Sequence, residues 1–143
     1  MTKKHKIVCA IIINDRGKVL LIKRGRKPFV NYWALISGIG ESKKGIKPQK
    51  GVIEEVNCDL QTESFKGKHL FSLPIKGDQK TKEVVVFVGR VSEKEIEVNP
   101  PYSIEYKWFT LDKLKSIKKL AFNHKEIIEK YINESCFSLR SSK

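Results

Sequence analysis

The stretch Trp33 to Leu60, WALISGIGESKKGIKPQKGVIEEVNCDL, constrains this chain more than any other. A strand-like WALI enters a glycine turn at Ser37, Gly38 and Gly40. A polar loop leads to Pro48, and a helical pattern then carries Glu54, Glu55 and Asp59. Proline suits the first position of a helix. Val52, Ile53, Val56 and Leu60 form an apolar stripe, which leaves the carboxylates for the other face. Glycines allow a backbone to approach a ligand closely. Hard oxygen ligands spaced one helical turn apart suit Mg²⁺ or Mn²⁺. The order of strand, glycine loop and acidic helix is therefore one that can hold a divalent metal against a phosphate.

The flanking segments read mostly as strands. Lys6 to Ile13 is rich in β-branched residues, Asn14 to Gly17 is a turn, and Lys18 to Lys23 returns from it, which together predict a hairpin. Arg24 to Pro28 is a basic loop, and Tyr32 to Ile36 a short strand delivering the glycine turn. Phe65 to Leu73 predicts a strand, followed by a loop from Pro74 to Lys82. Glu83 to Val91 is nearly all apolar and predicts a central strand covered on both faces. After the break at Asn99-Pro100-Pro101, Glu105 to Phe109 reads as a strand and Leu111 to Leu114 as a short helix capped by Thr110. Phe122 to Ile132 closes the fold as a helix striped by Ile127, Ile128 and Tyr131, and residues 135–143 read as a frayed tail. Strands with helices on two sides predict an α+β fold, an α/β/α sandwich on a mixed sheet, as a single domain over residues 1–134.

Composition narrows the partners. Lys+Arg 29 against Asp+Glu 16 gives +13, so the surface is broadly basic. Most of that excess is Lys spread singly along the chain, which fits a solvated surface better than a nucleic-acid groove, although a polyanion partner is the competing reading. Three scattered cysteines, Cys9, Cys58 and Cys136, make neither a disulfide framework nor a zinc site. The N-terminal apolar run stops at Asn14-Asp15, too short to span a bilayer and without a small-residue cleavage site. The expectation is a cytoplasmic protein with no membrane partner.

At this point the chain resembles the Nudix hydrolases over nearly its whole length. LIKRGRKPFVNYWALISG looks like the run kRgrePf-gyWaLPGG of many members, and LDKLKSIKKLAFNHKEIIEKY looks like the family's closing L-a-F-d-H stretch and final helix. The signature box, G-x5-E-x7-R-E-U-x-E-E-x-G-U, is matched less well, and two alignments compete. In the preferred one VIEEV overlays aiREv: Glu54 stands where Arg belongs, Glu55 keeps the first metal-ligand Glu, Cys58 and Asp59 replace the E-E pair, and Ile46 takes the place of the loop glutamate. In the other, Glu54 and Glu55 are the E-E pair, Lys50 replaces Arg and Gly51 the first Glu. Glu55 is acidic in both.

The resemblance implies metal-assisted hydrolysis of a diphosphate linked to a nucleoside or other group, with carboxylates holding Mg²⁺ or Mn²⁺. Glu55, Asp59 and Glu54 are the expected metal ligands, joined by Glu41 from the loop, with Glu55, Glu54 and Glu105 the expected catalytic carboxylates. Arg24 and Arg26 with Lys27 would grip phosphate, Phe29 or Trp33 would stack on a base or ribose, and Gly38 and Gly40 would line the ligand site. The plain alternatives are a solvated helix face, a basic loop and a core tryptophan. His124 reads as a helix cap. The competing function is a catalytically lapsed Nudix module that binds a nucleotide as sensor or scaffold, and a weaker one, suggested only by net charge, is an RNA-binding or decapping protein. The oligomeric state stays open, a homodimer included.

Overall fold

The computed structural model describes residues 5–39, 46–74 and 81–141. Its elements run β1 (His5–Ile12), β2 (Val19–Lys23), β3 (Trp33–Ala34), β4 (Ile36–Gly38), α1 (Pro48–Leu60), β5 (Lys66–Pro74), β6 (Thr81–Arg90), β7 (Glu105–Phe109), α2 (Leu111–Ser116) and α3 (His124–Ser141). Two sheets result, one in the order β4-β1-β6-β5 and one in the order β3-β2-β7. The first is mixed, because β1 and β6 run parallel while β4 and β5 flank them antiparallel.

The continuous apolar runs have a direct structural meaning. Residues Val8 to Ile12 are all buried, as are Val19 to Ile22 and Val84 to Phe87. Alternate side chains of each strand enter different cores. Val8, Ala10, Ile12, Leu20, Ile22, Val85 and Phe87 pack with Val52, Val56 and Leu60 of α1. Cys9, Ile11, Val19, Leu21, Val84 and Val86 pack instead with Leu114 of α2 and Ile127, Ile128 and Ile132 of α3. The sheet is therefore sandwiched between α1 and the C-terminal helices, and the expected α/β/α architecture is what the chain adopts. Cys9 lies in the core as expected, its thiol pushed far above the ordinary range by burial.

Two expectations about strand partners are corrected. The turn at Asn14 forms, with Asn14 Oδ1 accepting from the backbone N–H of Arg16 and Lys18 at 3.0 and 2.9 Å, and Gly17 at φ +74°. Beyond the single bridge Ile13–Val19, however, β1 and β2 part into different sheets rather than forming a hairpin. The expected strand Tyr32–Ile36 likewise splits. Trp33–Ala34 pairs with β2, Ile36–Gly38 pairs with β1, and Leu35 is the crossover between the sheets. Apolar patterning reports that a strand is buried, not which strand lies beside it.

The helices keep closer to expectation. Pro48 starts α1, and Gln61 closes it in the left-handed conformation at φ 54°. Gly51, inside α1, is buried. Thr110 caps α2 through its side chain, which accepts from the Lys113 N–H at 3.2 Å. α3 passes the expected end at Ile132 and runs to Ser141, so the segment expected to fray is helical as far as that residue. Most of the loop expected at Pro74 to Lys82 lies outside the described residues. Among the described residues no helix is long and apolar enough to cross a membrane.

Candidate functional site

β4 ends at Gly38, and α1 lies across it. A Cβ added to Gly38 would stand 2.5 Å from the carboxylate carbon and both carboxylate oxygens of Glu55. The Glu55 carboxylate thus rests directly on the Gly38 backbone, and only a residue without a side chain leaves room for it. This contact joins the two halves of the strand–glycine–helix unit.

One turn along α1, Asp59 is 8% exposed. The expectation that it lies with Glu54 and Glu55 on the polar side of the helix is corrected in one respect: Asp59 is among the buried residues of α1. Its carboxyl is pushed up from 3.8 to about 7, first by burial and then by the negative charge of Glu55, while Arg26 and Arg24 pull in the opposite direction. Between them Cys58 is half-buried, its thiol raised by burial and by the charges of Asp59 and Glu55, again opposed by Arg26. Two acids and two guanidinium groups therefore feel one another across this end of α1. Ser103, fully buried, fixes that turn by donating from Oγ to the Asp59 carbonyl at 2.5 Å and accepting from the Asn99 N–H at 2.9 Å.

The loop after β2 brings the cations. Arg24 Nε donates to the Pro28 carbonyl at 2.8 Å, and its guanidinium sits 4.9 Å from the centre of the Phe122 ring. Burial, followed by the charge of Arg26, lowers its pKa from the usual value. Arg26 lies 4.4 Å over the ring of Tyr102. A cleft of about 610 Å³ opens here, lined among others by Arg24, Arg26, Lys27, Ser37, Gly38, Glu55, Phe122 and His124. That volume falls within the usual range for a small-molecule site.

His124 starts α3 as a buried side chain bound to the chain crossover, not as an ordinary helix cap. Its Nδ1 accepts from the Leu35 N–H at 3.0 Å, and its Nε2 lies 3.1 Å from Ser37 Oγ. Leu35 falls between two strands and has no ladder partner there, which is why an imidazole is buried at this point. Burial, aided by the charge of Arg24, holds its pKa down to about 4.

Several expected site residues stand elsewhere. Glu105 is corrected: it is exposed on β7, in the other sheet, paired with its cross-strand neighbour Lys23 at 3.5 Å. Trp33, half-buried, packs edge-on against Phe109 at 5.1 Å on the margin of the α3-side core and is not among the residues lining the cleft. Phe29 is exposed at φ +63° and meets Phe122 edge-on at 4.9 Å, one ring removed from the cleft. Phe122 itself, at φ +52° and 48% exposed, is the aromatic residue that lines it. Glu54 is half-buried and is not among the lining residues. Gly40 and Glu41 lie outside the described residues. Among the described residues no three His, Cys, Asp or Glu side chains are grouped so as to hold a metal. Phe122 and His124 were the residues missed, although the LAFNH segment that carries them stood out in the sequence.

Comparison with known proteins places this arrangement. No curated protein matches the chain. Among solved structures, the NUDIX domain of Shewanella oneidensis NrtR complexed with ADP ribose superposes with a TM-score of 0.74 at 19% identity, over 94% of this chain and 90% of that one. A MutT protein from Methanosarcina mazei Go1 gives 0.71 at 21% identity, over 94% and 96%. A MutT NUDIX hydrolase from Burkholderia pseudomallei gives 0.70 at 23%, over 89% and 97%. At such identities the likeness is one of fold. A sequence profile of the NUDIX domain, however, matches residues 3–131, from the strand that opens the mixed sheet to the helix that carries His124. A match over that span takes in every element that builds the cleft, and the chain belongs to the NUDIX domain family.

Proposed function

We propose that the cleft beside Gly38 takes a nucleotide-type diphosphate and that the protein hydrolyses it with Mg²⁺ or Mn²⁺. The observation that carries this reading is the Glu55 carboxylate seated on Gly38, with Asp59 one turn behind it and Arg24 and Arg26 facing both. Arg24 and Arg26 in the cleft lining suit the phosphates, and the Glu55 carboxylate beside them, with the buried Asp59 behind it, suits a hard metal ion.

The donor set fits such an ion. Burial first, and the negative charge of Glu55 second, raise Asp59 to about 7, and a divalent cation between the two carboxylates would offset both by favouring the ionised form. Glu55 and Asp59 would hold it, while Cys58 between them is a poor ligand for Mg²⁺. When bound, the ion neutralises diphosphate charge and makes water a better nucleophile. Arg24 and Arg26 orient the phosphates, Glu55 is the carboxylate nearest the glycine wall, and Phe122 offers an aromatic face at the cleft mouth.

One observation favours a second reading, in which the fold binds a nucleotide without cleaving it. Only Glu55 and Asp59 meet at the site among the described residues, short of three grouped ligands. A single experiment separates the two. The protein is incubated with ADP-ribose, dinucleotides and nucleoside triphosphates plus Mg²⁺ or Mn²⁺, and products are followed by chromatography while melting is followed in parallel. Turnover that Glu55→Gln abolishes supports the hydrolase. Melting shifts without products overturn it in favour of the binding module. The ADP ribose bound by the Shewanella domain makes that compound the first probe.

A further inference from the structure

The hydrogen bonds of His124 have a direction. Nδ1 accepts from the Leu35 backbone N–H, which can only donate, so Nδ1 carries no proton. A neutral imidazole then carries its proton on Nε2, and the ring is held neutral by burial. Nε2 therefore donates to Ser37 Oγ, 3.1 Å away. Because Nε2 is protonated, it cannot take the Ser37 proton, and the pair is no serine nucleophile with its base. Ser37 instead keeps its own hydroxyl proton with one lone pair occupied. Among the described residues His124 is its only hydrogen-bond partner. Ser37 lines the cleft together with Arg24, Arg26 and Lys27, and the Arg24 charge is felt at the imidazole itself. A hydroxyl turned into a donor, beside three cations, selects an anionic acceptor.

We propose that Ser37 Oγ–H donates to a phosphoryl oxygen of the bound diphosphate, and that His124 is the positioning residue that fixes the hydroxyl in the donor orientation. The proposal rests on the cleft being a diphosphate site, and it adds a neutral donor on β4 next to the glycine that carries Glu55. No proton is transferred. Ser37 selects for the acceptor and His124 sets the direction.

The test uses the full chain and inorganic pyrophosphate. Long-range ¹⁵N NMR of the free protein should show His124 protonated at Nε2 and not at Nδ1. Pyrophosphate titration should shift the Gly38 amide, and Ser37→Ala should weaken the affinity about tenfold, the loss of one hydrogen bond to a charged group. Ser37→Thr, which keeps the hydroxyl, should restore affinity to within about threefold. Ser37→Ala also removes the acceptor of the buried His124 Nε2–H and should lower the melting temperature by several degrees, so affinity is read well below melting. Ser37→Thr keeps that acceptor and should melt near the parent, which separates a ligand contact from a structural one. A proton on Nδ1 overturns the proposal. So does a Ser37→Ala protein that binds pyrophosphate as the parent does with the Gly38 shift intact, an outcome that leaves the cleft reading standing. If the parent itself shows no binding and no Gly38 shift, the cleft reading falls and takes the proposal with it.

Discussion

Gly38 shows how one missing side chain organises a site. Its φ is not left-handed, so alanine meets no backbone strain there, only the Glu55 carboxylate at 2.5 Å. Gly38→Ala should therefore change stability by no more than about 1 kcal/mol, yet cut turnover or ligand affinity on the order of 100-fold through a displaced Glu55. Urea denaturation and kinetics on the same preparation check the split. Asp59 and His124 make opposite pH predictions. Asp59, raised from 3.8 to about 7, binds more protons folded than unfolded between those values, so its contribution to stability falls as pH rises through them. His124, lowered from 6.5 to about 4, binds fewer protons folded, so its contribution is present above 6.5 and is lost as pH falls toward 4. The two slopes offset between about 4 and 6.5. Asp59→Asn should unmask the His124 slope, giving a protein more stable than the parent at pH 8 and more sensitive to acid below 6. Urea midpoints across that pH range would show it. None of this was legible in residue spacing. Spacing put Asp59 and Glu55 one turn apart, but the charges of Arg24 and Arg26 and the Ser103 hydrogen bond that surround Asp59 come from distant segments.

At the level of elements, the sheet register puts a second close approach between β5 and β6. Gly67 and Gly89 are direct cross-strand partners. A Cβ on Gly89 would collide with the Lys66 carbonyl and with the Gly67 Cα, both of them backbone. Unlike Glu55 at Gly38, backbone cannot swing aside, so the strands must separate. Gly89→Ala should cost about 2–4 kcal/mol, read as a shift of the urea midpoint at an unchanged slope. Thr110, by contrast, caps a six-residue helix, and Thr110→Ala should cost only about 1 kcal/mol. The existence of α1, β6, β7 and α2 was written in local patterns: a proline start, an apolar run, an alternating EYKWF, a capping threonine. The partners of those strands were not. The turn at Asn14 predicted a hairpin, and the strands diverged after one bridge because each finds its neighbours among segments far along the chain.

Across the whole molecule, a charge of +13 on 143 residues is the dominant long-range term. Raising salt from about 0.01 M to about 0.15 M shortens the screening length from about 30 Å to about 8 Å. Self-repulsion should weaken accordingly, and the melting temperature should rise over that range; a fall would mean that surface ion pairs such as Lys6–Glu83 outweigh the repulsion. The same comparison of local and distant effects divides what the chain says by itself from what the fold adds. Apolar periodicity, proline and capping residues act within a few positions, so strand and helix identities, two-sided burial of the central strands and the α/β/α class followed from the amino-acid order alone. So did the pairing of Glu55 with the glycine turn, because a strand, a glycine and a helix in succession leave few ways to meet. Only the tertiary structure moved Glu105 and Trp33 out of the site, sank Asp59 beside two arginines, and set His124 against Leu35 and Ser37, 89 and 87 positions away. Contacts across such separations are decided by how the sheets and helices share two cores, and that packing carries no mark in any short stretch of sequence.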